Sequence, residues 1–171
     1  MMSNRTFIVY VEDVPGVLNR VTSLIRRRDY NIASLAVGPS EVEGVSRMTI
    51  VMTADDDAAR RIEANLYKLV NVLRVEDTAL RHTVTRELAL IKVRAEKAVR
   101  AQVMQLCAVF RARVIDVGPD SLICEITGTR EEVDALADGL EPFGIAELVR
   151  TGAAAMVRSA AVYEQERPNA A

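Results

Sequence analysis

The stretch Glu12–Leu18 (EDVPGVL) combines residue types that suit the binding of a small zwitterion. Pro15 fits the first turn of a helix because its missing N–H is not needed there. Gly16 has no side chain, so a small molecule can approach the backbone closely. The free N–H groups of a helix start, together with the helix dipole, attract a carboxylate. Asp13 is placed to accept a hydrogen bond from an ammonium group.

A carboxylate and an ammonium group next to Val14 and Val17 describe an apolar amino acid as the ligand. The same residues also describe a capped helix start after a tight turn, with no ligand at all. The stretch by itself leaves both interpretations open.

Other candidates for chemistry are few. His82 is the sole histidine and lies in a polar stretch, which favours a solvated residue over a general base. The sequence has no GxSxG, GxxxxGKS/T or GxGxxG motif, and no CxxC or HxxxH spacing. The acids Asp55–Asp57 are typical of a helix start, although they would also suit a hard cation. We therefore expect no catalytic residues and no metal site.

Charge and composition exclude further classes of function. The Arg26–Arg28 run suits the last turn of a helix, where cations interact favourably with the dipole. RNA binding on a sheet would need exposed aromatic residues, and the strand around Ile50 has none. The net charge is −2 with both signs interspersed, which argues against nucleic acid and anionic membranes.

The compartment follows from the cysteines and from the absence of long apolar runs. Cys107 and Cys124 stand in apolar surroundings that are typical of buried, reduced thiols. No apolar run approaches the ~20 residues that span a membrane. The N-terminus also lacks the apolar region of a signal peptide. We expect a cytoplasmic protein.

The spacing of apolar residues predicts the elements that hold the EDVPG stretch. In the first half the pattern predicts, in order, a strand at 6–11, a helix at 17–25 that Asp29 closes in place of glycine, strands at 31–37 and 48–53, a helix starting at 55–57, and a strand around Leu73 and Val75. This βαββαβ order is the ferredoxin-like unit, with two helices on one face of a four-stranded sheet.

The order then repeats. The second half predicts a strand at 88–93, a helix with Val99, Val103, Leu106 and Phe110 on one face, strands at 114–117 and 122–126, a helix at 133–140 with a Thr129–Glu132 capping box, and a strand at 145–149. We predict an α+β protein of two ferredoxin-like βαββαβ domains, with the halves meeting around residues 81–86. Each small sheet leaves a face and an edge uncovered, so at least a dimer is expected.

Together with Tyr30–Ile32 (YNI), the EDVPG residues resemble the ACT domain, a ferredoxin-like module that binds amino acids. The stretch from Ile8 to Val51, continued by KLVNVLRVED, resembles the N-terminal domain of the acetohydroxyacid (acetolactate) synthase small subunit. RELALIKV, FRARVIDVGPDSLICEITGT and IAELVRTGAAAMVRS resemble the C-terminal domain of that subunit. The resemblance implies an effector-binding, dimerising ACT domain at 1–80, a second domain at 81–160, and a flexible tail at 161–171.

The resemblance also implies a function. It describes a homodimer that catalyses nothing alone, binds no cofactor, and activates a catalytic large subunit carrying thiamine diphosphate, FAD and magnesium. The dimer would confer feedback inhibition by valine, or by leucine or isoleucine, in branched-chain amino-acid biosynthesis. The alternative is a freestanding ACT-domain sensor that regulates another enzyme, against which the motifs of the second half argue.

The family places the effector between two ACT domains, and the matching residues can be named here. One protomer would offer the helix start, and the other the start of the second strand: Asp13, Gly16, Val17 and Leu18, then Asn31 and Ile32. Some members have Asn in place of Asp13, whose charge would repel the effector carboxylate, so a different affinity is expected. Val17 is bulkier than the Ala of some members and is expected to narrow the pocket.

Overall fold

A computed structural model describes residues 3–79 and 81–158 of the chain. The chain divides into two compact units, each with one antiparallel sheet and its helices. The first unit consists of two segments, the described residues up to Val84 and those that follow from Ala153. The second unit is Thr85–Gly152. The predicted tail at 161–171 lies outside the described residues.

The first unit has the predicted βαββαβ order. Its elements are β1 (Ser3–Glu12), α1 (Val17–Arg27), β2 (Ile32–Pro39), β3 (Val45–Ala54), α2 (Asp56–Leu66) and β4 (Val72–Asp77). The sheet order is β2-β3-β1-β4, and every neighbouring pair is antiparallel. This is the ferredoxin-like arrangement, and it confirms the predicted fold of the first half.

Period-two alternation builds the core of the first unit. Phe7, Val9 and Val11 of β1 are fully buried and pack with Met48 and Ile50 of β3. Each helix adds the apolar residues of one face, namely Val17, Val21 and Ile25 from α1 and Ala58, Ala59, Ile62 and Leu66 from α2. Alternate side chains therefore face the helices, and the side chains between them face the other side of the sheet.

The second unit repeats this topology. Its elements are β5 (Thr83–Arg94), α3 (Arg100–Val109), β6 (Arg113–Val117), β7 (Ser121–Gly128), α4 (Arg130–Leu140) and β8 (Ile145–Arg150). The order β6-β7-β5-β8 matches that of the first sheet element for element. β5 starts at Thr83, so most of the stretch where the halves were expected to meet is strand.

Two predicted helix caps are confirmed. The Asp55 side chain accepts a 2.7 Å hydrogen bond from the Ala58 N–H at the start of α2. At the start of α4, Thr129 and Glu132 form a reciprocal capping box. Each cap satisfies N–H groups that have no partner inside the helix.

A ninth strand, β9 (Ala154–Val157), was not predicted. It pairs with β5, and the Arg158 N–H donates a 2.7 Å hydrogen bond to the His82 carbonyl. Sequence patterns missed it because a run of alanines carries no alternation of apolar and polar residues. No helix within residues 3–79 or 81–158 is both long and apolar enough to cross a membrane.

Candidate functional site

The start of α1 is an open helix terminus. Gly16 is its N-cap residue and has a φ of 86°, in the left-handed region that favours glycine. No side chain among the described residues caps this start, whereas Asp55 and Thr129 cap α2 and α4. A Cβ built on Gly16 would meet no atom within 4 Å. Backbone N–H groups and open space therefore meet at this point, as an anion site requires.

Asp13 is held beside this helix start. Its N–H donates a 2.7 Å hydrogen bond to the Gly44 carbonyl, and its carboxylate accepts a 3.1 Å hydrogen bond from the Ser46 hydroxyl. The turn between β1 and α1 is thus fastened to the beginning of β3. The residue is exposed, so its carboxylate remains within reach of a ligand ammonium group.

Val17 and Leu18 point to different places. The Val17 side chain is 4% exposed and lies in the core with Val21 and Ile25. It is therefore unavailable to a ligand, contrary to the expectation that its bulk narrows an effector pocket, and only its backbone lies at the site. Leu18 is 42% exposed at the surface of α1. Leu18 and the exposed Val14 are the apolar side chains that this helix start offers.

Asn31 and Ile32 lie at the junction between α1 and β2. Asp29 has a φ of 59°, which confirms that an aspartate replaces glycine in the left-handed turn that closes α1. Asn31 follows and is exposed, while Ile32 is half-buried and packs on the core. An amide group thus stands at the surface beside an apolar side chain.

One chain does not bring the two groups of predicted residues together. Asp13 and Gly16 precede α1, and Asn31 follows it, so the length of the helix separates them, roughly 16 Å for its 11 residues. The sheet shows the same separation. Glu12 at the end of β1 pairs with Val45, whereas Ile32 at the start of β2 pairs with Met52 at the other end of β3. A site that uses both groups needs two copies of the chain.

A polar network beside the helix start was missed by sequence reasoning. Arg20 of α1 donates to the Asn71 side-chain oxygen, and the Asn71 amide donates to the Glu12 carboxylate. The Glu12 N–H also donates a 2.9 Å hydrogen bond to the Asn71 carbonyl. Asn71 is 59 residues from Glu12, and only the pairing of β4 with β1 brings them together, so no local pattern reveals the network.

Of the Arg26–Arg28 run that was predicted for the last turn of α1, Arg26 and Arg27 are exposed in that turn, and Arg28 is the C-cap residue that follows it. His82 is exposed, and its backbone carbonyl is used in the contact with Arg158. Within the described ranges, no three His, Cys, Asp or Glu side chains stand together in a way that would hold a metal ion.

The two thiols lie in the core of the second unit, as predicted. Cys107 of α3 and Cys124 of β7 are both free and buried, and the Cys124 thiol donates to the Ile91 carbonyl at 3.6 Å. The hydrogen bond with Cys107 and burial raise the pKa of Cys124 well above its ordinary value. A thiol that stays protonated in an apolar core is a poor nucleophile.

Two family models cover most of the chain. Residues 7–74 match the model described as the AHAS small subunit-like ACT domain, and residues 86–159 match the model of the small subunit of acetolactate synthase. The acetolactate synthase small subunit of Mycobacterium leprae is 46% identical over 157 residues, which are 92% of this chain and 93% of that protein. This chain belongs to the acetolactate synthase small-subunit family.

Two further members of the family match about nine-tenths of this chain. The probable acetolactate synthase small subunit of Archaeoglobus fulgidus is 45% identical over 153 residues, 90% of this chain and 96% of that protein. The crystal structure of the acetolactate synthase small subunit from Thermotoga maritima matches with a TM-score of 0.85 at 38% identity, over 92% of this chain and 98% of that one. The two-unit fold is therefore that of the family, and the α1 start lies in its ACT domain.

Proposed function

We propose that this protein is the regulatory subunit of an acetolactate synthase. In this proposal it binds the catalytic large subunit, raises its activity, and makes it subject to feedback inhibition by valine or a related branched-chain amino acid. Membership of the small-subunit family supports the choice of enzyme. The open start of α1 at Gly16, inside an ACT domain, is the observation that supports amino-acid binding.

The chemistry of the helix start suits an apolar amino acid. The effector carboxylate lies at the N–H groups around Gly16, where the helix dipole favours negative charge. Its ammonium group lies near Asp13, which Ser46 holds in place. The exposed Leu18 and the half-buried Ile32 of a second chain offer apolar contact for a branched side chain. Together, these groups select a ligand that has a carboxylate, an ammonium group and one apolar side chain.

The site is completed by a second copy of the chain in a homodimer. Asn31 and Ile32 are too far from Gly16 in their own chain, so a partner supplies them. The face of the first sheet that points away from its helices already contacts Ala153 and Ala155. Association through the sheet edge at β2, where Asn31 and Ile32 lie, is therefore favoured over face-to-face packing.

The reaction itself belongs to the large subunit in this proposal. Thiamine diphosphate, FAD and magnesium are bound there, and this chain changes the rate of their chemistry without touching it. Both subunits then work in the cytoplasm, where the biosynthetic substrates are made.

A reconstitution assay tests the proposal. The purified chain is mixed with the large subunit from the same organism, and acetolactate formation is followed with and without L-valine. We expect no activity from this chain alone, a rise in the rate on mixing, and inhibition of the mixture by L-valine. D-valine is the matched control, because it has the same charges but the wrong arrangement around the α-carbon. Absence of binding to the large subunit, or an unchanged rate on mixing, would overturn the proposal.

A further inference from the structure

The chain returns to the first unit after Gly152, and this returning segment (Ala153–Val157) is bonded to the sheet of that unit. The Ala153 N–H donates a 2.9 Å hydrogen bond to the Ser34 hydroxyl of β2. The Arg47 guanidinium of β3 donates to the Ala155 carbonyl. Ala155 is 3% exposed. Two neighbouring strands of the first sheet, β2 and β3, therefore each add one bond to a segment that also pairs with β5 as strand β9.

Arg47 is fixed by its own sheet before it reaches the segment. Its Nε donates to the Tyr10 hydroxyl and its Nη1 to the Thr49 hydroxyl, both at 3.3 Å. The guanidinium also lies over the Tyr10 ring, 5.7 Å from the centroid. Thr49 is 2% exposed, so this anchor is inside the protein. A guanidinium held at two other nitrogens loses little further freedom when it binds the Ala155 carbonyl.

Ser34 lies close to the proposed effector residues. The register of β2 against β3 shifts between Ile32 and Ser34, which marks an irregularity in the strand at Ala33. Asn31 is three residues from Ser34, roughly 10 Å along an extended chain. Ser34 therefore lies at the end of a short, irregular stretch of β2 that begins beside Asn31.

We propose that Ser34 and Arg47 are positioning residues that couple the effector site to the returning segment. Effector binding at Asn31 and Ile32 shifts the beginning of β2, and Ser34 then makes or releases its bond to Ala153. Arg47 keeps the segment attached to β3 in both states. This inference rests on the proposed function, since it takes an amino acid at Asn31 as the signal. The effector drives the change only by binding one of the two states more tightly.

Hydrogen exchange on the wild-type protein tests the coupling without any substitution. The amides of the returning segment are compared in the full-length protein with no ligand, with L-valine and with D-valine. We expect L-valine alone to change their exchange rates by about two- to twelvefold, the range that corresponds to one hydrogen bond. Binding of L-valine without any change in these amides would overturn the coupling. Absence of L-valine binding would instead overturn the proposed function.

Substitutions test the same idea in the complex with the large subunit. Ser34→Ala removes the hydroxyl that accepts the hydrogen bond from Ala153, and Arg47→Lys removes the guanidinium that donates to the Ala155 carbonyl. Ser23→Ala changes a half-buried serine of α1 and is the matched control. We expect Ser34→Ala and Arg47→Lys to bind L-valine within about threefold of wild type. The activity that remains at saturating L-valine should rise at least about twofold.

Two outcomes would contradict this. Full inhibition by L-valine in both variants would show that neither bond carries the signal. Loss of L-valine binding by more than about tenfold, in a variant that unfolds at the wild-type temperature, would show that the residue belongs to the binding site itself. The Ser23→Ala control is expected to match wild type in both binding and inhibition.

Discussion

The two units share one topology but differ at the turn that precedes the first helix of each. In the first unit the turn between β1 and α1 ends at Gly16, whose missing side chain leaves open space. In the second unit the turn between β5 and α3 is occupied by a side chain. Arg100 donates to the Ala95 carbonyl at 3.1 Å, to the Gly118 carbonyl at 2.8 Å, and to the Pro119 carbonyl.

This difference separates fold from function. Both helix starts lack a side-chain cap, since the N-cap residue is Gly16 in one and Val99 in the other. A ferredoxin-like unit with an uncapped helix is therefore insufficient to make an amino-acid site. The first unit adds glycine and an anchored Asp13, whereas the second fills the turn with a guanidinium that ties it to the loop between β6 and β7. We expect ligand binding in the first unit and a purely structural turn in the second.

The largest expected effect comes from closing the open helix start. Gly16→Asp places a carboxylate where the effector carboxylate lies, and like charges in contact cost several kcal/mol. We expect L-valine affinity to fall by at least about 100-fold while activation of the large subunit persists. Calorimetry and the reconstitution assay measure the two quantities.

Gly16→Asn is the control for this substitution. Asn and Asp have nearly the same shape, and both tolerate a positive φ better than most residues. Gly16→Asn should therefore bind L-valine more tightly than Gly16→Asp. Equal loss in both variants would indicate that shape or backbone strain, and not charge, closes the site.

The next largest effect is expected at the other half of the site. Asn31→Ala removes a side-chain hydrogen bond to a charged effector group, worth about 1.5–3 kcal/mol. L-valine affinity should fall roughly 10- to 150-fold by calorimetry. Asn4→Ala, at the exposed beginning of β1, is the matched control and should bind as wild type does. Normal binding by Asn31→Ala would remove Asn31 from the site.

In the second unit, the corresponding substitution should change stability and leave binding alone. Arg100→Met removes the donor to three carbonyl groups, which we expect to lower the free energy of unfolding by about 1.5–3 kcal/mol in urea titrations. Arg130→Met is the control, because its exposed ion pair with Asp134 is worth less than about 1 kcal/mol. A change in L-valine affinity in Arg100→Met would mean that the second unit also contributes to the effector site.

The smallest effect is a pH dependence at a helix start that does have a cap. The hydrogen bond from the Ala58 N–H holds the pKa of Asp55 below its ordinary value. A carboxyl whose pKa is lower in the folded state stabilises the protein above its unfolded pKa of about 4, and this stability is lost as the pH falls through the folded pKa. Wild type should therefore lose slightly more stability than Asp55→Asn in acid.

Thermal unfolding between about pH 6 and pH 3 measures this difference. Asp138→Asn removes the same charge from an exposed position of α4 and serves as the control. An acid dependence in Asp55→Asn as steep as that of wild type would show that the cap does not depend on the charge of Asp55. The start of α1 has no such side chain, so no equivalent substitution exists there.

Most of the fold could be predicted because its information is local. Alternation around Phe7 and Val9, helical spacing from Val17 to Ile25, and the Thr129–Glu132 pair each specify an element from neighbouring residues. Asp29 was predicted as a left-handed helix end and has a positive φ. β9 was missed because its alanines fit many conformations, and its place depends on partners such as Arg47 that are distant in sequence.

The candidate site was predictable in part. The sequence indicated the helix start at Gly16, and family resemblance supplied Asn31 and Ile32. The helical spacing of Val17, Val21 and Ile25 already placed Val17 on the buried face of α1, although its side chain was also predicted to narrow the effector pocket. The network of Glu12, Arg20 and Asn71 was invisible, since it forms only when distant strands pair.

A mixing experiment tests the shared amino-acid site most directly. Gly16→Asp and Asn31→Ala chains are refolded together, and L-valine binding is measured at a concentration that saturates wild type but neither variant. If the site joins Gly16 of one chain to Asn31 of another, each mixed dimer has one intact site and one doubly altered site. Random mixing should then restore roughly a quarter of the wild-type binding. No recovery above that of the separate variants would contradict a site shared between two chains.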